Sequence, residues 1–172
     1  MSLYGDLAQS IPSAGGNFFK PEQGDNVIRI VGNPIKVYRP EFTPGAKPRF
    51  CLTDEGAKKY ECKEIKIAQW IIDRKDGQVK VAEFGPMIMD QIAELAETEG
   101  YKFDGLPPYD LILKKVVEKK GSGDKTTYMV LPHPTQRGEL TPKEVEDVKA
   151  KGAVTQFLRE KADDKELVIP FG

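Results

Sequence analysis

The chain has 172 residues, of which 39% are hydrophobic and 31% are charged, and its formal net charge is −1. This composition excludes a disordered protein and is typical of a globular one, and no apolar run approaches the roughly 18 to 20 residues that span a bilayer. The N-terminus lacks the layout of a signal peptide, and two cysteines do not make a disulfide framework. We therefore expect a cytoplasmic protein with no membrane association.

Charged residues are unevenly distributed along the chain. Residues 56–80 contain seven basic and four acidic residues, and residues 114–125 contain five lysines and two acidic residues. Residues 83–104 contain six acidic residues and one lysine. The distribution predicts a basic surface on one part of the molecule and an acidic surface on another. Solvated strands and a solvated helix would give the same distribution, so charge alone leaves the function open.

The first part of the chain indicates an arm followed by an interrupted strand. Residues 1–24 are interpreted as an N-terminal arm, because SIPSAGGN is typical of a loop. The apolar pattern predicts a strand over residues 26–31 that continues over residues 35–39. Gly32 and Pro34 lie between these two stretches, which indicates a bulged and strongly curved strand.

The middle of the chain predicts a loop, a hairpin and a helix. Residues 42–61 are polar and rich in turn-forming residues, so we expect irregular structure there. Residues 65–73 and 78–84 are predicted to form a hairpin around an Asp-Gly turn. An amphipathic helix is predicted to follow over residues 86–99, with its apolar stripe toward the core.

The last part of the chain predicts a second hairpin and a second helix. The hairpin strands are expected over residues 109–117 and 126–131. Thr141, Pro142 and Glu144 have the spacing of an N-cap, a first-turn proline and a capping box, which predicts a short helix. The final LVIPF is interpreted either as a packed strand or as a tip that recruits partner proteins.

Together these elements predict a mainly β fold. The order fits a small antiparallel barrel of about five strands, with one helix inserted between two hairpins and a C-terminal helical elaboration. Residues 25–135 would form the barrel domain. Residues 136–172 would add a helix and a terminal strand packed on the barrel.

Residues that commonly carry catalysis or bind metals are sparse. The single histidine, His133, lies in a proline-bounded loop, and the sequence contains no motif of a nucleophile, a phosphate-binding loop or a zinc protease. Cys51 and Cys62, together with one distant histidine, fall short of the four ligands of a structural zinc site. We therefore expect no enzymatic activity, no catalytic residue, no cofactor and no metal.

Aromatic and basic residues alternate on the predicted strands. Residues two apart on a strand share a face, and the residues expected on one such surface are Lys36, Tyr38, Lys66, Trp70, Arg74 and Lys114. Aromatic rings stack bases for about 1 to 3 kcal/mol each and cations neutralise phosphates, so the surface predicts binding of single-stranded nucleic acid. Core packing is the alternative for each aromatic residue, Trp70 above all, and it stays open here.

Three stretches of the sequence also carry a resemblance to a known family. They are, in chain order, NFFKPEQGDNVIRIVGNP, then WIIDRKDGQVKVAEFGPMIMDQIAELAE, and then PPYDLILKK followed by GSGDKTTYMVLP. In this order they resemble the bacteriophage single-stranded DNA-binding proteins, the helix-destabilising proteins of replication. The resemblance covers roughly residues 17–133.

The resemblance implies an OB-fold, a five-stranded antiparallel barrel with an inserted helix, whose outer groove holds single-stranded DNA in phage replication, recombination or repair. On the matching strands, the expected nucleic-acid-binding residues are Arg29, Lys36, Tyr38, Phe50, Lys66, Trp70, Arg74, Lys80, Lys114 and Tyr128.

Two departures from the family pattern limit what carries over. Some members hold a zinc subdomain where this chain keeps only Cys51 and Cys62, so a metal is not expected here. Members of the best-studied type have a basic N-terminal arm for cooperative binding, whereas the first nineteen residues here contain no lysine or arginine. That mechanism of cooperativity therefore does not transfer.

We accordingly expect a non-catalytic protein that coats single-stranded DNA with little sequence specificity, as a monomer or a weak homo-oligomer. Replication or recombination proteins are expected partners through the C-terminal end. The alternative is an OB-like protein–protein interaction module of a replication or recombination complex. In that case Tyr38, Trp70 and the C-terminal end would be contact anchors.

Overall fold

The structure is a computed structural model that describes residues 18–39, 54–59, 61–62, 64–121, 123–134 and 138–154. The strands in these ranges are β1 (Gly24–Ile30), β2 (Ile35–Arg39), β3 (Glu64–Asp73), β4 (Gln78–Phe84), β5 (Leu111–Lys120) and β6 (Gly123–Pro132). The helices are α1 (Asp54–Lys59), α2 (Pro86–Glu97) and α3 (Pro142–Lys151). Four predictions lie outside the described residues, namely those for Phe50, Cys51, the arm over residues 1–17 and the final LVIPF.

All six strands belong to one antiparallel sheet. β3 pairs with β4 along one edge and with both β1 and β2 along the other, β1 pairs with β5, and β5 pairs with β6. The predicted mainly β fold and both predicted hairpins, β3–β4 and β5–β6, are therefore confirmed. The strand pairs found among the described residues make an open sheet, in which β4 and β6 are not paired to close a barrel.

The first predicted strand is divided into β1 and β2 by a bulge. Both parts pair with β3, and the chain between them is longer than the stretch of β3 that lies opposite. The N–H groups of Val31 and Gly32 both donate to the carbonyl oxygen of Trp70, at 3.0 and 3.2 Å. A Cβ atom on Gly32 would lie 3.0 Å from the Trp70 Cβ atom. Glycine therefore permits this close approach, and the predicted bulge is confirmed.

The sheet is covered by α2 on one side and by α3 on the other, which are called the α2 side and the α3 side below. The buried cluster on the α2 side consists of Ile28, Ile30, Ile71, Ala82, Phe84, Ile88, Ile92, Tyr109, Leu111, Leu113 and Val130. The cluster on the α3 side consists of Val37, Ala68, Trp70, Ile72, Val79, Val81 and Val154, with Val148 of α3 packed against it. β3 contributes to both clusters, because its successive side chains alternate between two apolar sides.

Both predicted helices are present, and a third lies where a loop was expected. α3 begins with the predicted capping box, because the Thr141 hydroxyl accepts from the Glu144 N–H and the Glu144 carboxylate accepts from the Thr141 N–H. The prediction of irregular structure over residues 42–61 is wrong for α1. Asp54 and Glu55 occupy the first turn of α1, where negative charge is favourable.

A glutamine side chain of α2 satisfies the outer edge of β6. The Gln91 side-chain amide donates to the Tyr128 carbonyl oxygen at 2.9 Å, and its oxygen accepts from the Val130 N–H at 2.8 Å. This pair of bonds imitates the bonds of a neighbouring strand. The helix is thereby fixed against β6, next to the position where β4 ends.

Candidate functional site

The predicted basic and aromatic residues do not share one surface. Directly opposed residues of antiparallel strands lie on the same side of a sheet. Lys36 lies opposite Ile67, two pairs along from Tyr38, so both are on the α2 side. Lys66 lies opposite Val37 of the α3-side cluster. The prediction of one common face is therefore wrong, because it assigned the outward face of each strand separately, without the register between strands.

Trp70 is a core residue, which confirms the alternative left open by its sequence. Its side chain is 3% exposed and packs in the α3-side cluster. The indole Nε1 donates to the Gly152 carbonyl oxygen at 2.9 Å, just beyond the end of α3. The indole therefore has no face open to a base, and its role is to join the sheet to the segment that follows α3.

Tyr38 is also buried, at 8% exposure. Its hydroxyl group donates a hydrogen bond to the carboxylate of Asp54, at the start of α1. This bond raises the pKa of Tyr38, because ionising the phenol would place two negative charges together. Tyr38, which was predicted to stack a base, therefore attaches α1 to β2.

Two predicted phosphate-binding arginines belong to a buried ion-pair cluster. Arg74 contacts Asp110 at 3.1 Å and Glu144 of α3 at 2.6 Å, while Arg29 contacts Asp110 at 3.4 Å and donates to the Gly138 carbonyl oxygen at 2.7 Å. The side chains of Arg29, Arg74 and Asp110 are 6%, 11% and 3% exposed. Burial alone would lower the pKa of Arg74, but its bonds to the two carboxylates raise it. These arginines hold the C-terminal segment on the sheet.

Lys80 is neutralised in a similar way. Its ammonium contacts Asp73 at 2.9 Å and Asp76 at 2.6 Å, and its side chain is 15% exposed. Burial would lower the pKa of Lys80, and the bonds to Asp76 and Asp73 raise it. Lys80 therefore supports the β3–β4 turn.

A groove of about 740 Å³ runs beside this turn and contains both signs of charge. Its charged lining residues are Lys20, Glu22, Asp25, Asp73, Arg74, Lys75, Asp76, Lys80 and Asp110. Arg74 and Lys80 are paired as described above, and Lys75 contacts Glu22 at 2.6 Å. The bond between them raises the pKa of Lys75 and lowers that of Glu22. Because its cations face carboxylates, this groove has little excess positive charge to attract a polyanion.

A second groove, of about 290 Å³, lies where β4 leads into α2, and it is called the β4–α2 groove below. It is lined by Phe19, Pro21, Lys66, Glu83, Phe84, Gly85, Pro86, Met87, Ile88, Leu113, Thr126 and Tyr128. Two predicted binding residues, Lys66 and Tyr128, thus meet in one concave site although they come from different sides of the sheet. Residues from both sides reach it because the sheet ends here.

One corner of the β4–α2 groove places the Lys66 ammonium beside the start of α2, and Glu83 is the other charged residue that lines the groove. A Cβ atom on Gly85 would lie 3.7 Å from the Lys66 Nζ atom, so the ammonium lies over the start of α2. Gly85 is the N-cap of α2, and no side chain caps this end by a hydrogen bond. The first backbone N–H groups of the helix therefore add partial positive charge beside Lys66.

The β5–β6 hairpin extends beyond the groove and carries lysines into solvent. Lys114, Lys119 and Lys125 are exposed, and Lys115 is half-buried with its ammonium 3.3 Å from the Pro21 carbonyl oxygen. Tyr128 lies directly opposite Lys115 and is half-buried against the α2-side cluster. Lys114 and Lys125 lie on the side of the hairpin that carries Met129, whereas Lys119 lies on the side of Tyr128, so exposed lysines extend from the groove on both sides of the hairpin. Lys36 is exposed as well, but it lies on β2, opposite Ile67 near the start of β3 and away from the β3–β4 turn.

Sequence reasoning missed Phe19 and Glu83 as lining residues of the β4–α2 groove. The Phe19 N–H donates to the Val81 carbonyl oxygen at 2.8 Å, so the segment before β1 runs along the outer edge of β4. NFFKP was interpreted as the end of an arm, and nothing in its sequence indicates that it lies along β4. Glu83 ends the alternating pattern of β4, which was the one available signal that its side chain leaves the core.

Comparison with known proteins adds no assignment, because no protein-family model, no curated protein and no solved structure matches the chain. Within the described ranges, no helix is long and apolar enough to cross a membrane. In the same part of the chain, no group of three or more histidine, cysteine or acidic residues is placed to hold a metal ion.

Proposed function

We propose that this chain is a non-catalytic single-stranded DNA-binding protein with an OB-type fold, which coats DNA in phage replication, recombination or repair without requiring a defined sequence. The observation that carries the proposal is the β4–α2 groove with its continuation along the β5–β6 hairpin. It combines aromatic side chains, the Lys66 ammonium beside the start of α2, and exposed lysines on both sides of the hairpin. These are the components that bind single strands by base stacking and phosphate neutralisation.

The order of elements supports the OB-type fold. β1 and β2 together act as one long first strand, followed by β3 and β4, then by α2, and then by the β5–β6 hairpin. α2 lies between the β3–β4 hairpin and the β5–β6 hairpin, which is the position of the inserted helix that the resemblance implies. In OB-folds the connection between the last two strands borders the nucleic-acid site, and here that connection is the lysine-bearing hairpin.

The chemistry of the groove assigns a role to each part. Phe19 and Tyr128 would present ring surface to a base, and Lys66 with the N-terminus of α2 would hold the neighbouring phosphate. Lysines of the hairpin would then follow the backbone of the strand away from the groove. The structure provides no comparable site around Trp70, Arg29 or Arg74. Trp70 and Arg29 are buried, and Arg74 is paired with Asp110 and Glu144.

The decisive experiment is a binding titration with fluorescein-labelled oligo-dT at several salt concentrations. We expect saturable binding that weakens steeply with salt, and a Tyr128→Leu variant that binds about tenfold more weakly, because leucine retains apolar packing but offers no ring for stacking. Tyr101→Leu is the matched control, since Tyr101 is exposed and is not among the lining residues of the groove. No saturable binding at low salt would refute the proposal.

A second candidate, the protein–protein interaction module, is favoured by one observation. Met129 and Leu131 of β6 are 51% and 40% exposed and point to the side opposite the groove-lining Tyr128. Exposed apolar side chains on a sheet are a feature of protein contacts. Absence of oligonucleotide binding, together with a change of oligomeric state on Met129→Ser substitution, would favour this module instead.

A further inference from the structure

We infer that the outer edge of β6 accepts an extended acidic peptide of a partner protein as an additional β-strand. The inference goes beyond the proposed function, because its ligand is a protein segment and its main contacts are made by backbone groups. Among the strands of the described ranges, β6 pairs with β5 alone. Its other edge runs beside the β4–α2 groove, whose lining includes Thr126 and Tyr128.

The two bonds from Gln91 show which backbone groups of β6 face outward. Gln91 contacts the Tyr128 carbonyl oxygen and the Val130 N–H, so these two residues direct their backbone groups away from β5. Because this orientation alternates along an antiparallel strand, Asp124 and Thr126 do the same. Within the described residues, no hydrogen-bond partner is present for the N–H and carbonyl groups of Asp124 and Thr126 or for the N–H of Tyr128. The row that Gln91 fills at one end is therefore open at the other.

A peptide is the ligand that matches this row. Its donors and acceptors alternate along the edge, as they do along the backbone of an extended peptide. The phosphates of DNA supply acceptors only, and they would leave the outward carbonyl groups of Asp124 and Thr126 without a donor. The geometry of the edge therefore favours strand addition over a phosphate chain.

The surroundings of the edge determine which side chains the peptide needs. Thr126 lines the β4–α2 groove together with Phe19, Met87 and Tyr128, and Met87 is exposed. A peptide residue opposite Thr126 lies on the same side of the sheet, so an apolar side chain there would enter the groove. Its neighbours in the peptide would point to the other side, where Lys125 is exposed. The edge therefore suits a strand in which acidic and apolar residues alternate.

Charge distinguishes this peptide from a second copy of the chain. Residues 114–125 of the hairpin contain five lysines and two acidic residues. A second copy that paired edge to edge would bring its own lysines against these, and like charges on adjacent strands oppose pairing. The same lysines attract carboxylates, and Lys119 and Lys125 are both exposed close to the open edge. The charge of the hairpin therefore favours an acidic peptide over self-association.

The first test measures binding of a fluorescein-labelled peptide of about eight residues, in which glutamate and valine alternate, by anisotropy at low salt. Two further peptides have the same sequence, one methylated on the valine nitrogens and the other on the glutamate nitrogens. They lack backbone donors on opposite edges of the strand. We expect saturable binding of the unmodified peptide, a loss of about tenfold for the methylated peptide whose altered edge faces β6, and little change for the other.

The matching change in the protein is Thr126→Pro. Proline removes an N–H group that points outward and takes no part in the bonds to β5, and such a position on an edge strand tolerates it. We expect this variant to bind the unmodified peptide about tenfold more weakly. Thr126→Val is the matched control, because it changes the side chain and keeps the backbone donor, and it should bind the peptide as the wild type does. A thermal unfolding curve for each variant verifies that the protein is folded.

Each outcome separates the inference from the proposed function. No saturable peptide binding, or equal losses with both methylated peptides, would refute the strand pairing and leave the proposed DNA binding intact. A loss in Thr126→Val equal to that in Thr126→Pro would also refute it, because a side-chain contact would then be responsible. Self-association that disappears in Thr126→Pro would assign the edge to a second copy instead. Thr126→Pro should bind oligo-dT as the wild type does, and weaker binding would assign the edge to DNA.

Discussion

Arginine and lysine serve different purposes in two regions of this molecule. In the ion-pair cluster beneath α3, Arg29 and Arg74 are buried and bonded to carboxylates from distant parts of the chain. On the β5–β6 hairpin, Lys114, Lys119 and Lys125 are exposed. Residues of both regions, Arg29 and Arg74 in the one and Lys114 in the other, were predicted to contact nucleic acid. Burial and carboxylate partners, rather than residue type, separate a structural cation from one that is available to a polyanion.

The difference between the two regions has a physical basis in desolvation. A buried cation is tolerated only when carboxylates and carbonyl groups replace its water. The charge of a cation paired in this way is neutralised within the protein. An exposed lysine keeps its hydration and its field, which extends about a Debye length of 8 to 10 Å into solution. The buried cluster should therefore determine stability, and the hairpin should determine DNA affinity and its dependence on salt.

The largest expected effect tests the structural role of the buried cluster. Asp110→Ala should lower the free energy of unfolding by about 3–5 kcal/mol, because it leaves two buried guanidinium groups without their shared carboxylate. Urea denaturation followed by circular dichroism measures this change. The folded fraction should bind oligo-dT as the wild type does.

The control for this prediction is an ion pair at the surface. Glu22→Gln breaks the contact with Lys75, whose partners are 67% and 69% exposed, and it should leave the denaturation midpoint unchanged within error. If Asp110→Ala and Glu22→Gln had similar effects on stability, the distinction between buried and exposed pairs would be wrong.

A smaller effect is expected for Trp70, where the sequence favoured two roles and the structure selects one. Trp70→Phe should cost about 2 kcal/mol of stability, because the substitution loses the hydrogen bond to Gly152 and leaves part of the indole volume empty. Oligonucleotide affinity should stay within about twofold of the wild type, because the indole is enclosed by the α3-side cluster. Calorimetric unfolding and the anisotropy titration measure the two quantities.

The wild-type fluorescence of Trp70 gives an independent check on this assignment. Iodide should quench the emission weakly, and saturating oligo-dT should leave its intensity unchanged, because the ring is 3% exposed. Strong quenching by oligo-dT would contradict the core role and would indicate that Trp70 contacts DNA.

The sequence predicted local structure well and long-range pairing poorly. The capping box of α3, the two hairpins and the bulge at Gly32 follow from residues close together in the chain, and all are confirmed. The error over Arg29 and Arg74 has a different origin. Asp110 is 81 and 36 residues away from them, so neither alternation nor spacing could reveal the pairing.

The candidate site shows the same division. Lys66 was named from its strand pattern and Tyr128 from the family resemblance, and they meet in the β4–α2 groove. Phe19 was missed because its place depends on a backbone bond to β4 that follows from no local signal. Lys36 was assigned to the same surface as Lys66, but the register of β2 against β3 separates them to opposite sides of the sheet. Residue type therefore predicted candidates, and the register selected among them.

The last prediction compares the two regions at equal change of charge. Replacing Lys114, Lys119 and Lys125 together by glutamine should reduce the slope of log affinity against log salt by about 2, because each lysine that neutralises a phosphate of a single strand contributes about 0.7. Affinity at low salt should fall by about tenfold, and stability should change little because the three side chains are exposed.

The matched variant replaces Lys143, Lys149 and Lys151 on α3, which also removes three exposed positive charges. Its slope should equal that of the wild type, because α3 covers the buried cluster and lies outside the proposed DNA path. Equal losses in the two variants would mean that DNA responds to total charge alone, and the hairpin would then lose its special role.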